Sequence, residues 1–561
     1  MRPAGRGEHD SLYFSYPHFE PPPRDAGATR QRHEVVIAGA GPVGLVAALT
    51  LAAHGQPCLV LERKASFNDG SRAICIARQS MHILERIGAV APFLEKALPW
   101  TTGRSFHRGR QILEFEMPHG ADEKFMPMYN LQQQYIELYL WQAAAAAPLV
   151  ELRWQSELAG IEEAAEGLSL TVRDPGGSYG LDAGWLLAAD GARSAVRAMR
   201  GLRLQGENHE GRYVIADLRM AHDYPTIRRA FFDPACNPGS TVLVHRQPDD
   251  IWRLDYQLEP GERAEDATRE AVVREKAGAI LREIGHAGDW ELEWWSVYSA
   301  NTLALDDYRD GRILFVGDAA HIVPIFGVRG LNNGIADAQD IGWKLARVLA
   351  GQAGAGLLDS YTPERRGATL DVFANATKST RFMTPPSHGW RLMRDAALSL
   401  ALAHDFARPF ANPRQMAPYT YADSPLTAPD DPAFGGGPLP GSVAPNLRLG
   451  EGADGGGFLS DRLGPGFTGL LFGGAGPAGA PADALAALLG EIDPVFRLLR
   501  VGGEGADLED EDGRIAARYA AAPGAFYLVR PDLHLAGRWA EADPERIAAW
   551  LADMLDLEEA S

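Results

Sequence analysis

Cysteine is nearly absent from this chain of 561 residues: three occur, Cys58, Cys75 and Cys236, far apart and with no CxxC pair. A disulfide framework and a zinc ribbon are thereby excluded, no metal site is expected, and a reducing, cytoplasmic setting follows. No cluster of Lys or Arg stands out, and the formal net charge is −20. A field of that sign repels nucleic acid and anionic membrane, so neither is expected as a partner. The opening, MRPAGRGEHD, carries charges where a signal peptide needs an apolar core. One stretch, residues 35–53, approaches a membrane span in hydropathy. It is interrupted early by Gly39, Gly41, Pro42 and Gly44 and closes at His54-Gly55. A buried strand, a turn and a helix account for it better than a span, and the chain reads as soluble.

What is present is ordinary globular material, 46% hydrophobic and 23% charged, in more chain than a single core can hold. Residues 1–32 form an extension whose patch YFSYPHF docks through Tyr13, Phe14 and Tyr16 but has no fold of its own. Over residues 33–205, EVVIAG, a helix from Pro42, CLVLER and a helix through MHILERIG alternate. That alternation predicts a parallel sheet covered by helices. Residues 206–300 contain YVIADLRM, STVLVHR, IWRLDYQL and ELEWWSVYS, which predict a mainly antiparallel sheet. The earlier style returns over residues 301–410, where RILFV leads to the helical pattern DAQDIGWKLARVLAG. Residues 411–445, dense in Pro, Gly and Asp, read as a linker, and residues 446–561 as a separate small domain. The fold class is therefore α/β and α+β, a Rossmann-like domain interleaved with an antiparallel-sheet domain, plus a C-terminal unit.

The run Gly39-Ala40-Gly41-Pro42-Val43-Gly44 follows a strand and opens a helix. The first glycine permits the tight turn, the second lets a pyrophosphate approach the backbone, and the third lets helix pack on strand. The helix mouth offers amide hydrogens and the positive end of its dipole. Glu62 closes the next strand, where an acid hydrogen-bonds a ribose hydroxyl. Dinucleotide binding follows. A second match, Gly474-Ala475-Gly476-Pro477-Ala478-Gly479, lacks such an acid and reads as a small-residue turn.

Two further motifs, LLAADGARSAVR and RILFVGDAAHIVPIFGVRGLNNGIADAQDIGWKLA, stand in order behind the first. With them the chain resembles the flavoprotein aromatic hydroxylases of the para-hydroxybenzoate and phenol hydroxylase type, most closely members acting on hydroxyphenylpropionate. The resemblance covers residue 33 to about residue 375. It implies FAD as cofactor, with NAD(P)H and molecular oxygen consumed and a phenolic ring hydroxylated through a flavin hydroperoxide. Glu62 and Arg63 would then hold the adenosine ribose, and Arg72 would lie near the pyrophosphate and the nicotinamide approach. Gln133 would touch the flavin side, Asp190-Gly191 would serve both nucleotides, and Asp318 would accept from the ribityl chain. Gly330, Leu331 and Asn332 would set backbone amides beside the flavin pyrimidine ring, and Pro324 would face the substrate. The physics of Asp318 points the same way, because an acid ending an apolar strand is costly unless something hydrogen-bonds it. His321 beside it reads as structural, since no second ligand pairs with it. The family often has two prolines where this chain has Pro324-Ile325. Ile74 stands where some phenol hydroxylases have an acid, so no substrate-activating Asp is assigned there. A polyketide-type tailoring hydroxylase or epoxidase, or a flavin dehydrogenase, would share the same motifs.

The tail pieces GSVAPNLRL, DLEDEDGRIAARY and GAFYLVRPDLHLAGRW resemble the thioredoxin-like domain of phenol hydroxylases. No cysteine follows Cys236, so disulfide exchange is excluded there; Trp539 and Tyr527 read as core, and a homodimer is what the resemblance implies. In STVLVHRQPDDIWRLDYQL, the Pro-Asp turn predicts a hairpin with residues 247–250 at its tip. That register sets Arg246 opposite Ile251, with Arg246, Arg253 and Asp255 on one face and His245 and Trp252 on the other. Relatives have a flavin-contacting arginine where Arg253 stands. Arg246 would offer a bidentate fork to the carboxylate of a phenolic acid.

Overall fold

The computed structural model describes residues 11–23, 30–70, 72–259, 261–324, 327–412, 418–450, 456–473, 479–503 and 505–557. The second glycine-rich match falls almost wholly outside these, as does Ile325.

The apolar strand Gln31–Ala38, with Val35, Val36 and Ile37 fully buried, is the centre of the first sheet. It runs parallel to Gly177–Ala188 on one side and to Cys58–Leu61 on the other. Val150–Arg153 and Ile313–Phe315 extend the parallel order outward, while Glu157–Ala164 and Gly167–Asp174 add an antiparallel branch. Strands buried on both faces need helices on both faces, and Pro42–Ala53, Gln133–Ala146 and Gly330–Leu349 supply cover. The Rossmann-like half of the expected fold is borne out.

The second sheet has eight strands in the order 321–322, 291–304, 205–219, 251–257, 241–246, 228–232, 102–107 and 110–116. Its pairs are antiparallel except Arg228–Phe232 with Thr102–His107. One face packs Val242, Val244, Trp252 and Leu254 against Val273, Ala277 and Ile280 of the helix Glu270–Glu283. The other face is left for the site.

The hairpin at its centre corrects the expected register. Gln247 N–H donates to the Ile251 carbonyl, Asp249 and Asp250 take positive φ, and Pro248 completes a three-residue loop. His245 therefore pairs with Arg253, and Arg246 with Trp252. A one-residue change in loop length exchanges the faces of one strand relative to its partner. Arg246 shares its face with Trp252, whereas His245 joins Arg253 and Asp255.

The extension docks as the aromatic patch implied. Phe14 is buried against Tyr16, Phe67 and Tyr135, and Phe19 stacks on Trp154. Residues 468–539 carry a four-stranded mixed sheet, with Tyr527 and Trp539 in its core. Arg530, just past the strand Phe526–Val529 of this sheet, donates to both oxygens of Glu364 at 2.5 and 2.9 Å, and Lys344 reaches Glu364 at 2.6 Å and Asp340 at 2.8 Å. Asp340, Glu364 and Asp532 thus cluster around two cations and form a buried ionic clamp between the C-terminal sheet and the helices Gly330–Leu349 and Tyr361–Met383. Among the described residues no helix is long and apolar enough to cross a membrane.

Candidate cofactor and substrate chamber

The three glycines of the first turn do different things. Gly39 has φ +108°, and a Cβ there would stand 2.5 Å from the Ala189 carbonyl oxygen. At Gly44 a Cβ would meet the Gly39 carbonyl oxygen at 2.0 Å. Around Gly41 nothing lies within 4 Å of that position. The first and third glycines let strand and helix close on each other; the second leaves room for something that is not protein.

That room opens into one cavity of about 940 Å³. Gly39, Gly41, Pro42 and Val43 line it at the glycine turn, with Glu62 and Arg63 beside them. Glu62 accepts from the Ala40 and Lys64 backbone amides at 2.9 and 3.0 Å, so its carboxylate is held against the turn. Gln133 and Arg72 line the wall: the Gln133 side-chain oxygen accepts from the Arg72 and Ala73 amides at 3.2 and 3.3 Å and pins that loop. Asp190 and Gly191 follow on the far side, and Asp318, Pro324, Gly330 and Leu331 close the end.

Several polar groups here have no protein partner. Asp190 Oδ1 is buried and unsatisfied. The Asp318 carboxyl is open to the cavity and makes no hydrogen bond among the described residues, while the protein packed around it raises its pKa, burial being the main cause. The helix Gly330–Leu349 begins with no side-chain cap, so its first amides face the cavity. A cradle open at Gly41, acceptors at Asp190 and Asp318 and donors at Gly330 and Leu331 fit a dinucleotide joined to a hydroxylated chain. Gly44 supports the site by packing, and Asn332 sits behind it: its side chain binds Ala77, Ser80, Cys75 and Val328. His321 is structural, buried 2.6 Å from Asp337.

The same cavity continues over the open face of the second sheet. Register sets Arg253 beside His245 and Asp217, and Asp217 beside Trp294. Continuing the Arg229–Val244 pairing by one residue puts Arg228 next to His245. A second row runs Leu243, Asp255, Ile215 and Ser296. Arg228, His245, Arg253 and Asp255 all line the chamber. Arg253 is already committed, with two bonds of 2.8 Å to the Asp217 carboxylate and one of 2.9 Å to the Arg72 carbonyl. Burial pushes the Asp255 carboxyl up to about 7, and burial together with Arg228, Arg253 and Arg229 holds the His245 imidazole well below its usual value. The two approach at 3.6 Å as an uncharged imidazole and a carboxyl about half ionised near neutral pH.

Arg246 is not brought to this chamber. Its guanidinium donates to the Tyr224 carbonyl at 3.0 Å and lies 5.6 Å from the Trp252 ring centroid. The expectation failed because it placed four residues in the turn. His245 was put on the wrong face for the same reason, and the loop length was the signal that would have placed it; Arg228 was missed because its strand, Arg228–Phe232, is set by distant pairings and not by this turn.

Strand, glycine turn, helix mouth and acid define a dinucleotide-binding protein whose cavity continues over a polar sheet face. Residues 32–376 match the family described as FAD binding domain, and the chain belongs to that family. Over 365 residues it is 30% identical to 3-(3-hydroxy-phenyl)propionate/3-hydroxycinnamic acid hydroxylase of Mycobacterium sp. (strain JLS), covering 64% of this chain and 62% of that relative. The match thus spans under two thirds of the relative's length. Among solved structures, the flavin-dependent monooxygenase PieE in complex with FAD and substrate is 25% identical, with a TM-score of 0.79 over 95% of this chain and 100% of that one. Aklavinone-11 hydroxylase with FAD and aklavinone is also 25% identical, with a TM-score of 0.77 over 94% and 100%. The likeness to flavoprotein aromatic hydroxylases read from the three motifs is borne out.

Proposed function

We propose that this chain is an FAD-dependent, NAD(P)H-consuming monooxygenase that hydroxylates a phenolic ring, a phenolic acid first among candidates. The observation that carries the reading is the continuity of the chamber, which joins a dinucleotide cradle to a polar sheet face in one space. FAD bound there supplies the redox chemistry with molecular oxygen as co-substrate. Gly39, Gly41, Glu62 and Arg63 would hold its nucleotide end, Asp190 and Asp318 its linker, and Gly330 and Leu331 its ring. The uncapped helix dipole at Gly330 favours negative charge beside it. Arg72 stands on the exposed lip of the chamber, a fitting approach for the nicotinamide nucleotide. Arg228, His245, Arg253 and Asp255 are nearly fully buried where they line the chamber, which limits water at the substrate face. His245 and Asp255 line the chamber and would meet a ring hydroxyl there, Asp255 serving as proton acceptor in its ionised form. Dimerisation and a cytoplasmic setting belong to the same reading.

The test is oxygen labelling. Protein carrying one noncovalent FAD should oxidise NAD(P)H faster with a phenolic acid and place one labelled atom from oxygen gas in the product. A protein that refuses FAD overturns the proposal, and turnover without label makes it a dehydrogenase. A polycyclic aromatic substrate is the second reading, favoured by the aklavinone complex of a structural neighbour. The same label, offered with a polycyclic phenol, separates the two.

A further inference from the structure

Among the described residues, the substrate face holds a cation without a hydrogen-bond partner at two of its nitrogens. Arg228 is 4% exposed, and its Nε and Nη1 are buried without a hydrogen-bond partner. Each neighbour that could answer it is otherwise engaged. Asp217 is taken by both forks of Arg253, and burial lifts the Asp255 carboxyl to about 7, so it offers only part of a charge near neutral pH. His245, next in the row, stays neutral. Across the row the fixed charges are thus two guanidiniums and one carboxylate. A buried guanidinium without a counter-charge is among the least tolerated groups in a fold. Here it lines the chamber, so the missing partner can arrive from the cavity.

We infer that Arg228 is the acid-recognising residue of the substrate chamber, pairing with a carboxylate carried on the aromatic substrate. The inference rests on the proposed ring hydroxylation and adds the residue that selects for an acid. A carboxylate suits the position better than a phenolate, because it is ionised at every pH where the enzyme would work. Its two oxygens can also take up more than one unsatisfied donor. The ring hydroxyl is then left to His245, on the neighbouring strand, and Asp255, on the strand beyond it.

The test uses acid and amide pairs: 3-(3-hydroxyphenyl)propionate, 3-hydroxycinnamate and 3-hydroxybenzoate, each against its primary amide. Dissociation constants are read from the flavin absorbance change in the FAD-loaded protein, without NAD(P)H, so turnover plays no part. Wild type should bind at least one acid roughly 10- to 100-fold more tightly than its amide, the range for a charge-assisted hydrogen bond. Arg228→Met should abolish that ratio while amide affinity and FAD content hold, and Arg228→Lys should keep part of it. If Arg228→Met retains the ratio, or if Arg246→Met loses it instead, the inference is wrong. Equal loss for acid and amide, with a raised pKa of the bound phenol, assigns Arg228 to the phenolate and overturns the carboxylate role. Wild type that binds acids and amides alike yet hydroxylates them overturns the inference alone. A wild type that hydroxylates nothing in the panel and takes up no FAD overturns the proposed function, and the inference with it.

Discussion

Two glycines of one motif should fail for different reasons, and that contrast tests the cofactor cradle. Gly41 has φ −71° and ψ 175°, an extended backbone that any residue adopts, and no atom lies within 4 Å of its would-be Cβ. Gly41→Val should therefore leave the apoprotein within about 1 kcal/mol of wild type, the small loss reflecting valine's poor fit at a helix N-cap. In the FAD-loaded protein the added methyls occupy space that a pyrophosphate needs. Overpacking of that kind costs about 1–3 kcal/mol, which is roughly a 5- to 140-fold rise in the FAD Kd. Gly44→Ala reverses the pattern. Its Cβ would stand 2.0 Å from the Gly39 carbonyl oxygen, so strand and helix must part whether or not cofactor is bound. A comparable cost then falls on the fold, lowering the apoprotein's melting temperature by roughly 1 °C per kcal/mol for a chain of this length. Calorimetry on the stripped proteins and FAD titration by fluorescence quenching give the two readings separately. A Gly41→Val protein that binds FAD like wild type would refute the cradle. One that melts as low as Gly44→Ala would refute the claim that the space is empty of protein.

Other expectations are shorter. Asp318→Ala should weaken FAD by about 1–3 kcal/mol by removing an acceptor with no protein partner; unchanged affinity by calorimetric titration would remove it from the linker site. Burial holds the His82 imidazole down to about 4, so the folded chain resists a proton that the unfolded chain accepts near 6.5. Stability present above about pH 6.5 should fall as pH drops toward 4, by on the order of 3 kcal/mol from this residue, and His82→Leu should flatten that limb of the denaturation curve. Arg530→Met leaves Glu364 with Lys344 and the Ser424 hydroxyl and should cost about 3–5 kcal/mol in urea unfolding, as breaking a buried pair does. A loss below 1 kcal/mol would mean that the clamp between the C-terminal sheet and the helices is not a stabilising contact.

The cofactor half of the chamber was legible because its signals are local. Gly39, Gly41 and Gly44 are each tied to a backbone need within six residues, and Glu62 follows at the end of the next strand. Asp318 could be singled out from its neighbours alone, as an acid after Ile313-Leu314-Phe315-Val316-Gly317. The aromatic patch at Tyr13, Phe14 and Tyr16 was readable for the same reason. What composition could not say is where such a patch docks; Phe14 turns out to close over Phe67 and Tyr135. The clamp of Arg530 on Glu364 was invisible, because 166 residues separate them and nothing near either marks a partner.

The substrate half was not legible, and the reason is specific. Strands Thr241–Arg246 and Ile251–Gln257 are buried on both faces, so neither shows the alternation that would say which face meets a helix and which a ligand. With that signal missing, the faces depend on the turn alone. Four residues in the turn would send Arg246 with Arg253 into the chamber; three send His245 there and turn Arg246 onto Trp252. Pro248 fits either length. What decides it is that both Asp249 and Asp250 take positive φ, a conformation Asp tolerates better than most residues. Lengthening the loop by one glycine after Asp250 therefore offers a direct test of the chamber's chemistry. If the strands keep their partners beneath the helix Glu270–Glu283, the insertion is absorbed in the loop and acid recognition stays with Arg228. If the strand slips, Arg253 leaves Asp217 and the FAD-loaded protein should lose its preference for acids over amides. Its fold would then carry the exposure of Trp252, read as a red shift in tryptophan emission. Loss of the preference with no such shift would place acid recognition somewhere other than this sheet face.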